Sequence, residues 1–159
     1  MAEASETTVT SLEPQDSVKR IVLLGNTGVG KSTFGNTILG LDPTNNAALP
    51  SAFPTGPGSD SCTQESKVVD GYWLGDKDKP IRVIDTPGHG DSFGHDTTHR
   101  QAMVECLRGE RSVHAFFWIM NASAPRFDKL DRELRKILIE MFGWEFMDNL
   151  VIILTWSVI

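Results

Sequence analysis

Apolar residues fall into two patterns along this chain, and the two alternate. Unbroken apolar runs predict strands over 20–24, 114–120 and 149–155. A run without polar alternation suits a strand covered on both faces, as in the middle of a parallel sheet. Stripes at three- and four-residue spacing predict helices. Phe34, Ile38 and Leu39 mark one helix over 31–39. Met103, Val104 and Leu107 mark a second over 97–108. Leu130, Leu134, Ile137, Leu138 and Met141 mark a third, ending near Phe142. Gly40 and Gly143 stand where the first and third helices should stop, and Asp128 where the third should begin. Two further strands, over 66–74 and 81–84, are separated only by Gly75-Asp76-Lys77-Asp78-Lys79-Pro80, a connection short enough for an antiparallel hairpin. Strands alternating with helices give an α/β fold. The expectation is three α/β/α layers around a mostly parallel sheet of about five strands with one antiparallel edge strand.

Two stretches show no period. Residues 1–18 are poor in apolar side chains and predict a disordered leader, which leaves 19–159 as one folded domain. Residues 41–60 carry Pro43, Pro50, Pro54 and Pro57 among Gly, Ser and Asn, a long irregular loop of the kind usually functional or disordered in a compact domain.

The formal charge of −6 argues against a broad nucleic-acid footprint. Cys62 and Cys106 have neither disulfide-framework nor metal-ligand spacing and read as reduced thiols. The acidic, Ser/Thr-rich start is no signal peptide, Ala2 excludes N-myristoylation, and the apolar tail 150–159 is too short to span a bilayer. Together these features predict a cytoplasmic protein without a membrane segment in this chain.

Chemistry enters between the first strand and the first helix. Residues 25–33 read Gly-Asn-Thr-Gly-Val-Gly-Lys-Ser-Thr, the phosphate-loop pattern in its expected strand–loop–helix context. Such a loop works through its backbone: amides from about Thr27 to Ser32 form an anion-binding concavity, and the helix start adds positive charge. Gly25, Gly28 and Gly30 supply positive φ and close approach. Asn26, Val29 and Thr33 complete the loop, Lys31 reaches the β- and γ-phosphates, and the Ser32 hydroxyl suits Mg²⁺. Roughly fifty residues on, the strand 81–84 ends in Asp85-Thr86-Pro87-Gly88. If that strand lies beside the first, Asp85 can hold Mg²⁺ through a water and the Gly88 amide can bond a γ-phosphate. Thr63, just before the second strand, can put its hydroxyl on the same ion, with a solvated loop residue as the alternative. His95 and His99 have helical metal-ligand spacing but no third partner. His114, Trp73, Trp118, Trp144 and Trp156 read as structural or packing residues.

The chain resembles the immunity-associated nucleotide-binding GTPases, the GIMAP or avirulence-induced-type G domain within the septin-like group. Beside the phosphate loop and the Asp85–Gly88 motif, the matching pieces are Asn36-Thr37-Ile38-Leu39-Gly40, Cys62-Thr63-Gln64-Glu65-Ser66, Trp73-Leu74-Gly75, and Phe127 with Met141-Phe142-Gly143. They cover residues 19–155. The resemblance implies a Mg²⁺-dependent GTP-binding switch with slow hydrolysis, and self-assembly in the GTP state as a homodimer or larger oligomer. It implies that Ser32, Thr63 and Asp85 hold the metal, with Lys31 and His89 as catalytic groups. His89 follows the Asp85–Gly88 motif at the point where related GTPases orient the attacking water; a loop histidine facing solvent is the alternative. In the family the strand matching 151–155 leads into a motif whose aspartate reads guanine, and here Val158 falls at that place. The last strand and two helices of the full G domain are also missing, so a truncated G domain is expected, with one sheet edge and part of an apolar face uncovered. An ATPase, a non-catalytic assembly module and an inactive partial domain stay open as alternatives.

Overall fold

A computed structural model describes residues 17–41, 51–55, 66–88, 97–110, 112–123 and 129–156. Five strands are present: β1 Lys19–Leu24, β2 Lys67–Tyr72, β3 Pro80–Asp85, β4 Ala115–Asn121 and β5 Leu150–Thr155. Three helices accompany them: α1 Lys31–Ile38, α2 Thr97–Gly109 and α3 Lys129–Phe142. The strands form one sheet in the order β2-β3-β1-β4-β5. Parallel pairing joins β3, β1, β4 and β5, while β2 runs antiparallel to β3 as the predicted hairpin. The sheet expected from the sequence is therefore present, with each boundary shifted by at most two residues.

The apolar runs sort by parity. Val22, Leu24, Ile84, Phe116, Trp118 and Met120 face α2 and α3, where Met103, Leu107, Leu134 and Leu138 meet them. Ile21, Leu23, Ile81, Val83, Phe117 and Ile119 face α1, where Ile38 and Leu39 close over them. Successive side chains of a strand point to opposite faces, so an unbroken run feeds two cores at once. On the α3 side the Trp118 indole donates to the buried Asp131 carboxylate at 3.2 Å, which ties the central strand to that helix.

Helix ends follow local chemistry. Gly40 takes φ 72°, and the bonds Leu41 N–H to Asn36 O (2.8 Å) and Gly40 N–H to Thr37 O (2.9 Å) close a Schellman turn after α1. Gly143, at φ 74°, donates to Ile139 O at the end of α3. The expected cap Asp128 lies outside the described residues.

At the amino ends of β1 and β3, the Arg20 guanidinium meets Glu110 at 3.1 Å. Arg82 grips Asp70 through two bonds of 2.7 and 2.9 Å. That fork holds the Asp70 carboxyl below the usual carboxylate range. The His114 ring accepts the Arg20 backbone N–H at 3.0 Å, in keeping with a structural role.

Two of the four tryptophans depart from the packing expectation. Trp118 is buried and Trp73 packs edge-on to Phe117, but Trp144 and Trp156 are 66% and 79% exposed. No described helix is long and apolar enough to cross a membrane.

Candidate functional site

The candidate site lies at the carboxyl ends of β1 and β3, where ligands of open α/β sheets bind. The loop from β1 to α1 has Gly25, Gly28 and Gly30 at φ 142°, 80° and 93°. The first is indispensable on two counts. A Cβ on Gly25 would lie 2.2 Å from the Ile119 carbonyl oxygen, and its φ is one that side chains avoid. The loop is thus seated directly on the backbone of β4. Gly30 is the N-cap of α1, and no side chain caps the first turn. Its leading amides are therefore left for an anion, where the helix dipole favours negative charge.

Lys31 is buried, and its Nζ donates to the Asn26 carbonyl at 3.0 Å, folding the side chain back over the loop. Burial lowers its pKa from an ordinary 10.5 to about 8, against the opposing pull of Asp85. Ser32, half-buried, donates its hydroxyl to Asp85 Oδ2 at 2.9 Å. Thr27, Gly28 and Thr33 face solvent, and Val29 is half-buried against the α1-side core.

Asp85 ends β3, paired in register with Leu23 of β1. Its carboxylate is buried, and Oδ1 has no hydrogen-bond partner among the described residues. Burial raises its pKa, while Ser32 and Lys31 pull it back. An orphaned buried carboxylate oxygen beside a serine hydroxyl is a hard-oxygen donor set, which suits a small divalent cation. The next residue, Thr86, donates to the Leu23 carbonyl at 2.7 Å and locks the two strand ends together. Gly88 lies against Thr27: a Cβ there would sit 2.8 Å from the Thr27 nitrogen. The two glycine motifs, far apart in sequence, therefore form one surface.

One contact behind the candidate site was not foreseen. Within the proline-rich loop, residues 51–55 are fastened to α1. The buried Asn36 carboxamide donates to Phe53 O at 2.8 Å and accepts from Phe53 N at 2.9 Å. The Phe53 ring is fully buried over Gly35, where a Cβ would approach it to 2.9 Å. Lys67 donates to the Ala52 carbonyl at 2.6 Å, and its Nζ stands 5.9 Å from the Phe53 ring centre. A lone aromatic in a polar loop, near an asparagine on a helix face, was the signal available. Periodicity could not find it, because a single anchoring residue has no period.

On the other flank, the Thr155 hydroxyl donates to Val29 O at 2.6 Å and lies 3.2 Å from Met120 O. The carboxyl end of β5 is thereby joined to the loop. Thr63, His89 and His95 lie outside the described residues, as do the His99 side chain and Val158. The structure thus brings together the loop, Lys31, Ser32, Asp85 and Gly88. Among the described residues, no three His, Cys, Asp or Glu side chains group as a metal site.

Known proteins resemble this chain in sequence and in fold. GTP-binding protein A of Dictyostelium discoideum is 31% identical over 143 residues, covering 86% of this chain and 28% of that protein. Immune-associated nucleotide-binding protein 10 of Arabidopsis thaliana is 30% identical over 142 residues, covering 88% and 28%. The chain thus spans less than a third of the length of these curated relatives. Among solved structures, Toc33 from Arabidopsis thaliana in complex with GDP and Mg²⁺ superimposes with a TM-score of 0.65 at 19% identity, covering 87% of this chain and 50% of that one. Era from Aquifex aeolicus bound to GDP and AlF₄⁻ gives 0.56 at 18%, covering 86% and 40%. The family model described as AIG1 family matches residues 19–157, and the chain belongs to that family.

Proposed function

We propose that this chain is the nucleotide-binding part of a GTP-dependent switch that uses Mg²⁺. The single observation that carries the proposal is the group Lys31, Ser32 and Asp85 at the uncapped start of α1. A buried ammonium, a hydroxyl and a half-satisfied buried carboxylate converge there. Loop amides and the helix start would bind the phosphate chain, and Lys31 would neutralise its terminal charge. Ser32 and Asp85 would hold Mg²⁺, with Thr63 as a third oxygen. The ion, when bound, supplies charge neutralisation across the β- and γ-phosphates. The Gly88 amide would contact the γ-phosphate, and His89 would orient the attacking water.

Hydrolysis by the isolated chain is read as slow. Arg20 and Arg82 sit at the opposite ends of β1 and β3, engaged with Glu110 and Asp70. We read the charge-stabilising arginine as a partner's, which can raise turnover by about 10³–10⁵. Dimerization is described as important for the GTPase activity of the chloroplast translocon components atToc33 and psToc159. For this chain, assembly as a homodimer is proposed as the second reading.

Guanine is favoured over adenine by the relatives' names, and the phosphate loop itself does not read the base. Calorimetric titration with GTP, with and without Mg²⁺, tests the proposal. Micromolar, Mg²⁺-dependent binding that disappears in Asp85→Asn and Lys31→Met is expected. A wild-type chain that binds neither GTP nor GDP at 100-fold higher concentration would overturn it.

A further inference from the structure

At the end of the sheet remote from the phosphate loop, a row of charged side chains follows the apolar ones. Arg20 pairs in register with Arg82, and Arg82 with Asp70, so the three stand side by side on β1, β3 and β2. By parity they share the face of Val22 and Ile84, which α2 covers. α2 stops at Gly109, and the charged row lies past its end, where Glu110 meets both arginines. A cavity of about 480 Å³ opens there, a volume within the range of small-molecule sites. Val18, Tyr72 and Pro80 form its apolar side.

The charges around this cavity are not equally fixed. The Glu110 side chain is 9% exposed and holds Arg20 at 3.1 Å. Arg82 reaches Glu110 only at 3.5 Å. Its fork is filled instead by Asp70, whose side chain is 62% exposed on the outermost described strand. A pair so open to water is weak, and Asp70 loses little by turning out into solvent. The guanidiniums also hold unused donors. Arg20 spends Nε on Glu110 and Nη1 on Ser112, and its Nη2 has no partner among the described residues.

From this arrangement we propose that the cavity binds a small organic oxyanion, a carboxylate or phosphate monoester on an apolar, ring-sized body. The oxyanion takes the Arg82 fork from Asp70 and accepts a bond from Arg20 Nη2, the planar recognition to which arginine is suited. The apolar body lies against Tyr72 and Pro80. An anion stays opposite each arginine through the exchange, the ligand at Arg82 and Glu110 at Arg20. Asp70 is therefore a placeholder. The site is independent of the nucleotide reading above, since the six residues of β1 separate it from the loop by about 20 Å.

Tyr72 is the only tyrosine in the chain, so a fluorine atom on its ring reports on this cavity alone. The full chain labelled with fluorotyrosine is titrated with phenyl phosphate, phenylacetate, phenethylamine and inorganic phosphate, and followed by fluorine NMR. At least one of the two aromatic anions should shift the signal saturably, with Kd on the order of 1 mM. The tighter of the two identifies the oxyanion. Inorganic phosphate, lacking the ring, should bind about tenfold more weakly, and phenethylamine should leave the signal unmoved. Arg82→Lys, which keeps the charge but loses the fork, should weaken binding about tenfold. Asp70→Asn should strengthen it several-fold, because the competing carboxylate is gone. Lys31→Met, at the other end of β1, should leave the titrations unchanged. No shift with either aromatic anion overturns the proposal, and so does an equal response to phenethylamine. Binding that Asp70→Asn fails to strengthen means that the four charges only hold the fold together, and overturns it as well. A response lost in Lys31→Met would assign the anion to the phosphate loop instead.

Discussion

Lys31 is held in a state that serves a ligand better than it serves the fold. Its ammonium is buried, with one carbonyl and the Asp85 charge as compensation, and its pKa falls to about 8. Relative to an unfolded lysine, that shift corresponds to about 3 kcal/mol of penalty on the charged form. Lys31→Met should therefore stabilise the ligand-free chain by about 2 kcal/mol at pH 7 while abolishing triphosphate binding. Below pH 8 the lysine is charged in both folded and unfolded chains, and the penalty is complete. As pH rises from about 8 to 10.5, the folded form loses its proton first and the penalty fades. The stability gap between variant and wild type should narrow across that window, which urea denaturation at a series of pH values measures. A gap that widens with pH would contradict this account. These residues were legible from sequence because the loop motif is defined by its chemistry: the glycine, lysine and serine positions follow from what a phosphate needs. That Asp85 would be half-satisfied and Lys31 folded back on Asn26 was not legible, since both depend on atoms contributed by another strand or by the loop's own path.

At the level of elements, α1 does two jobs. Its first turn faces the candidate phosphate site, and its second turn fastens the loop that follows it, through Asn36 and Gly35. Asn36→Ala removes three hydrogen bonds made by one buried side chain and should cost about 2–3 kcal/mol. Hydrogen exchange provides the specific readout: the Phe53 amide should lose protection far more than the amides of β1 or β4. Protection lost uniformly would mean that the anchor is only part of the general core. Phe53→Ala should cost more, about 3–5 kcal/mol, because it also leaves a cavity over Gly35. The strands and helices themselves could be placed from sequence because their apolar patterns run long enough to show a period. Residues 51–55 could not be placed, because their structure is imposed by α1 rather than by their own composition. The exposure of Trp144 and Trp156 escaped for a related reason. Hydrophobicity records a preference for burial, and whether a partner surface exists is decided by the rest of the fold.

For the molecule as a whole, the sheet is unevenly covered. β1, β3 and β4 are buried on both faces, whereas β5 carries exposed Val151, Ile152 and Leu154 on the outer edge of the sheet among the described residues. An edge strand with apolar side chains and no charge is prone to pair with another chain. The chain should therefore self-associate as its concentration rises, with or without nucleotide. Ile152→Lys should suppress that association while changing unfolding stability by no more than roughly 0.5 kcal/mol. Light scattering against concentration distinguishes the cases, and identical scattering by both proteins would exclude β5 as the contact. Association that responds to GTP analogue but not to this substitution would point instead to the homodimer proposed above, formed through another surface.

The bond between Thr155 and Val29 joins residues 126 positions apart in the chain. That separation is also an interval of time. The glycine loop leaves the ribosome well before the strand that props it up is made. At about 5–20 residues per second, on the order of ten seconds pass between the two. During that interval the nascent chain carries the complete phosphate motif without the hydroxyl that steadies it. Its capture of nucleotide should therefore begin late and abruptly, when residue 155 clears the exit tunnel.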